Sequence, residues 1–154
     1  MIKTLIGRVC LVGALGLTAI SASAEVTVEN PYARAVPPGQ MNSASFMVLN
    51  NTDTKDVALV AASSSVAKVV ELHNHINEDG VMKMRQVDSI AVPALGKASL
   101  QPGGYHVMLI GLTQDLMEGQ KIDLKLEFSD GSSQALTLPV QKVMAGMKSH
   151  KHHH

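Results

Sequence analysis

The chain has 154 residues, with 13 basic residues balanced by 13 acidic ones. A formal net charge of zero excludes the strongly basic character of a nucleic-acid or acidic-membrane binder, and the length suits one domain. Nine methionines and seven histidines stand beside two Phe, two Tyr, no Trp and one Cys, so sulfur-bearing and imidazole side chains outnumber Phe, Tyr and Trp together.

Residues 1–24 read as a secretory signal peptide. Lys3 and Arg8 charge its start, the apolar run Val9–Ile20 is well short of the ~20 residues of a membrane span, and Ala22-Ser23-Ala24 is a small-x-small cleavage pattern. Cys10 lies inside the apolar run, in no setting for lipid attachment. Removing 24 of the 154 residues leaves 130, with 11 basic and 13 acidic residues and no cysteine. The exported part, expected in the periplasm with no stable membrane span, therefore has neither a disulfide nor a thiolate. Any soft-metal site in it must use methionine.

Residues 25–143 predict one all-β domain. Strand-like stretches run over 24–30, 43–50, 56–63, 66–76, 81–92, 105–112, 121–128 and 134–143. Turn signals separate them: VPPGQ, NNTDTKD, NEDG, QPGG, MEGQ and SDGSS. No window carries a long helical period. Short strands at this spacing predict a β-sandwich or Greek-key barrel. Residues 144–154 have no apolar period and read as a disordered tail rich in Met and His.

Two segments carry chemistry. In GGYHVMLIGL (103–112) His106 and Met108 share one face of a strand while Val107 and Leu109 share the other. In the hairpin candidate 66–87, the turn can use all of Asn77–Gly80 or only Asp79-Gly80. The longer turn sets His73 opposite Met84 and His75 opposite Met82. The shorter one sets His75 opposite Met84, with His73 on the diagonal. Both keep His73, His75, Met82 and Met84 on one face, with Val66, Val70, Leu72, Ile76, Val81 and Val87 on the apolar side. Methionine is ordinary core filler, but packing alone would not segregate His and Met from the apolar face of three strands. Two imidazoles with two thioethers suit Cu(I): zinc takes Cys, His and carboxylate, and four neutral donors favour a monovalent soft ion. Geometry alone leaves His73 and His75 as rivals. Met82 reads as structural, and Met41 and Met47 carry no assigned role.

The spacing from His73 through Met84 to His106 and Met108 is H-x10-M-x21-H-x-M, and with it the chain resembles the periplasmic copper chaperone family PCuAC. Flanking stretches resemble the family too: DGVMKM (79–84), PGGYHVML (102–109), YARAVPPG (32–39) and FSDGS (128–132). The resemblance implies a cupredoxin-like Greek-key β-barrel that binds Cu(I) through His73, Met84, His106 and Met108. It further implies delivery to the dinuclear copper centre of cytochrome c oxidase, with the oxidase copper subunit as acceptor and a Sco-type thiol protein as a second candidate partner. Met144, Met147, His150, His152, His153 and His154 resemble the Met/His-rich extension of some members, a candidate second site for Cu(II). A blue-copper electron carrier needs a Cys thiolate, which the exported chain lacks. No triad, carboxylate pair or dithiol marks an enzyme. The expectation is a monomeric, non-enzymatic carrier.

Overall fold

The computed structural model describes residues 26–143, so the signal-peptide and tail expectations lie outside the described residues. Ten strands make up the fold: β1 (Val26–Arg34), β2 (Asn42–Asn51), β3 (Val57–Ser63), β4 (Ala67–Glu78), β5 (Val81–Gln86), β6 (Ile90–Val92), β7 (Lys97–Leu100), β8 (His106–Leu112), β9 (Lys121–Phe128) and β10 (Ser133–Gln141). The period of two is cleanest in β9, where Ile122, Leu124, Leu126 and Phe128 are buried and the residues between them are exposed. These side chains meet Met47, Leu49, Leu59, Leu72, Val107, Leu109, Leu138 and Val140 in one apolar cluster.

The strand order is β5-β4-β8-β2-β1-β10-β9-β3-β6, with β7 also on β2. Neighbours pair antiparallel except β1 with β10, whose short parallel ladder at Ala33↔Val140 and Arg34↔Gln141 joins the two halves around the shared core. The all-β expectation holds, with one correction to the barrel: the terminal strands β5 and β6 do not pair, so the sheet does not close. The stretch 81–92 is not one strand. β5 pairs with β4 and β6 with β3, in opposite halves of the sheet. The crossing falls at Val87–Ser89, where the Val87 amide donates to the Leu72 carbonyl at 2.9 Å. Every residue of β5 is exposed, including Val81, so the apolar side expected for that strand has no core beneath it.

Two irregularities position the site. β1 reaches past Pro31 because a bulge between Glu29 and Tyr32, with Asn30 at φ 49°, absorbs the irregular residues. β7, too short to stand out in the sequence, pairs with β2 along Met47–Asn50, while β8 pairs with the same edge along Asn42–Ser45. Loop 101–105 lies between β7 and β8 and is closed by the Gln101 amide on the Tyr105 carbonyl (2.9 Å) and the Gly104 amide on the Gln101 carbonyl (2.9 Å). Phe46 is the residue of β2 left between the two ladders.

Candidate metal site

Three adjacent strands bring the histidines and methionines together. The β4–β5 turn is the two-residue form: Glu78 pairs with Val81, Asp79 has φ 54° and Gly80 φ 82°. The Asn77 side-chain carbonyl accepts from the Gly80 amide at 2.8 Å, and the Glu78 carboxylate binds Lys83 (2.6 Å) and Arg85 (3.1 Å) across the hairpin. That register sets His75 opposite Met84, Asn77 opposite Met82 and His73 opposite Gln86. On its other side β4 meets β8, with His73 opposite His106 and Glu71 opposite Met108.

The result is a cavity of about 360 Å³ whose lining includes His75, Met84, His106, Met108, Arg34 and Phe46. Three of the four residues expected as ligands thus share it with His75. His73 is not part of the lining, although its ring lies 5.7 Å from that of His106. The His75 ring is 5.3 Å from His106 on the same scale. Met82, 55% exposed, stays at the outer edge of the hairpin. Met47 is buried in the core and Met41 is exposed, and neither is part of the cavity lining.

His106 is only 2% exposed and packs 6.2 Å from the Phe46 ring. Its Nδ1 lies 3.1 Å from the Gly104 carbonyl, which fixes the proton on Nδ1 and leaves the Nε2 lone pair free. Burial holds its pKa below the usual imidazole value, against the opposing pull of the Gly104 carbonyl; His75, His73 and Arg34 add to the lowering. The ring is therefore kept neutral, the form that binds a metal. His73 Nε2 lies 2.7 Å from the Glu71 carboxylate, an arrangement that leaves Nδ1 as the donor atom.

Buried polar atoms are ordinarily hydrogen-bonded. Here His73 Nδ1, His75 Nδ1 and His106 Nε2 are buried without a partner, all in one cluster. No three His, Cys, Asp or Glu side chains among the described residues gather closely enough to hold a metal by themselves. A metal here would thus need the thioethers as well as imidazole, and the donor set fits a soft ion. Arg34 was missed by sequence reasoning. Its guanidinium stands 5.9 Å from the Phe46 ring centroid and lines the same cavity, and no spacing rule links residue 34 to residues 73–108. Glu71 was missed as well, although its place two residues before His73 put it on the same face.

Comparison with known proteins agrees with this architecture. Residues 26–140 match the family model described as "Putative lipoprotein LpqE-like". The "Putative lipoprotein Lxx21020" of Leifsonia xyli subsp. xyli is 34% identical over 127 residues, 82% of this chain and 75% of the relative. The uncharacterized protein RP573 of Rickettsia prowazekii is 31% identical over 125 residues, 79% of this chain and 69% of the relative. The solution structure of CuI-DR1885 from Deinococcus radiodurans superposes with a TM-score of 0.65 at 31% identity, covering 80% of this chain and 83% of that one. The copper-bound PCuAC domain from PmoF2 gives a TM-score of 0.67 at 21% identity, over 79% of this chain and 97% of that domain, a likeness of fold. The chain belongs to the LpqE-like family and has the fold of the PCuAC copper-binding domains.

Proposed function

We propose that this protein is a copper carrier of the periplasm, exported by its first 24 residues. It binds one Cu(I) through His106, Met108, Met84 and His73 and gives it up by ligand exchange. The observation that carries the reading is the cluster of three buried imidazole nitrogens without partners beside two thioethers. The likeness to a Cu(I)-bound structure at 31% identity supports it. Neutral nitrogen and thioether donors hold Cu(I) without supplying the charge that a divalent ion demands. Arg34, a fixed cation in the lining, opposes a doubly charged ion more than a singly charged one. Met84 is 43% exposed, so an incoming ligand can reach the metal's side of the cavity without unfolding the core.

The acceptor we propose is the copper subunit of cytochrome c oxidase, with a Sco-type thiol protein as a second partner. The tail residues Met144, Met147, His150, His152, His153 and His154 lie outside the described residues, and we assign them a second site that prefers Cu(II). No catalysis is part of the role.

X-ray absorption of the Cu(I)-loaded chain, with Met144 and Met147 replaced by Leu, tests the central claim. The expected first shell contains sulfur from Met84 and Met108 as well as nitrogen. A shell of nitrogen and oxygen alone would refute it.

A further inference from the structure

We propose that His75 is a copper donor in its own right and that it alternates with His73. Two overlapping donor sets would then share His106, Met84 and Met108. This rests on the copper reading above and adds a residue to it.

The cavity itself points to His75. It is His75, not His73, that lines the space with Met84, His106 and Met108. The two-residue turn sets His75 directly opposite Met84, whereas His73 faces Gln86 on that side and His106 on the other. Both rings carry a buried Nδ1 with no partner, and their ring centroids lie 5.3 and 5.7 Å from that of His106. A buried nitrogen without a partner is unfavourable, and a bound cation satisfies it.

Simultaneous use of all three imidazoles is not what the geometry offers, because no such trio is gathered around one point among the described residues. Alternation is. His73 is braced from behind by Glu71 at 2.7 Å and sits deeper along β4, with 14% of its side chain exposed. His75 lies two residues nearer the turn, beside the exposed Met84. In the exchange the bond from copper to one Nδ1 breaks as the bond to the other forms. Each nitrogen donates a lone pair, so neither a proton nor an electron moves, and the coordination number is kept. The inner set retains the ion and the outer set presents it toward the hairpin edge.

The test is a set of anaerobic Cu(I) titrations against a colorimetric Cu(I) chelator, using the full chain with His150, His152, His153 and His154 replaced by Ala in every sample. Each single variant keeps one donor set whole, so His73→Ala and His75→Ala are expected to weaken binding only about twofold each if the two sets hold the ion equally, and the fractions of affinity they retain should add to about one. The double variant should lose far more than the product of the two, the signature of residues that substitute for one another. Either single variant binding as weakly as the double, or a double no weaker than the product, overturns the alternation. A parent chain that does not bind Cu(I) overturns the copper reading with it. Imidazole ¹⁵N resonances of the parent chain give a measurement free of folding effects: Cu(I) should shift or broaden Nδ1 of both His73 and His75, and movement of one alone overturns the proposal.

Discussion

Met108 is where the proposed ligand role can be told apart from a packing role. It is half-buried on the site side of β8, while its neighbours Val107 and Leu109 are fully buried in the core. Met108→Ala should therefore lower Cu(I) affinity and barely move the melting temperature of the metal-free protein. Leu109→Ala should do the reverse, costing about 2–5 kcal/mol of stability as a large-to-small core change. Chelator competition and thermal melts of both variants check this. Arg34→Gln should strengthen Cu(I) binding, with the gain shrinking as salt is added, because it removes a positive charge from the wall of the cavity proposed to hold the ion. The same titration over a salt series measures it. At this scale spacing marked His73, Met84, His106 and Met108, of which the last three line the cavity, and His75, which lines it too, was visible as a rival to His73. Glu71 and Arg34 were not read as parts of the site. Glu71 acts through a hydrogen bond to another side chain, and Arg34 arrives from a strand whose nearness only the tertiary fold creates.

At the level of strands, the sequence marked apolar alternation well and chain crossings poorly. The 121–128 strand has the bounds expected for it, since its buried and exposed residues alternate without a break. The 81–92 stretch alternates just as plausibly, yet splits into β5 and β6, because hydrophobic period carries no information about which sheet half a strand joins. Turn length was likewise open, and the positive φ at both Asp79 and Gly80 decides it in favour of the short turn. Gly111, at φ 68° in β8, is a second place where the backbone constrains the residue. A Cβ there would come within 3.2 Å of the Lys68 side chain. Gly111→Ala should thus cost about 1–2 kcal/mol for the left-handed conformation, and urea unfolding at constant m-value is the check.

Over the whole molecule, one core serves two sheet halves, and the site lies where the edge of β2 passes from β8 to β7. Binding at such a place should stabilise the entire fold, since an ion that binds only the native state raises stability by about 2.7 kcal/mol at a hundred times its dissociation constant. Calorimetry should show a melting temperature that rises with Cu(I) in the parent and stays flat in a His106→Ala, Met108→Ala double variant. Acid should also act at a second place, away from the site. Hydrogen bonds from the Ser65 hydroxyl and amide hold the Asp123 carboxyl below its usual pKa. A carboxyl depressed in the folded state stabilises above its unfolded value of 3.8 and loses that contribution as pH falls toward its folded value. Ser65→Ala should reduce the stability difference between neutral and strongly acid solution, as read from melts across that range. The outermost strand has a further bearing on kinetics. β5 is held by one neighbour, carries no buried residue, and yet bears Met84, one of the proposed donors. Such a strand frays more readily than the strands behind it, so detachment of one donor needs only the hairpin to lift, with the core intact. The lifetime of a bound ion would then follow the opening rate of a two-stranded arm, and the same protein could be durable as a fold and brief as a host.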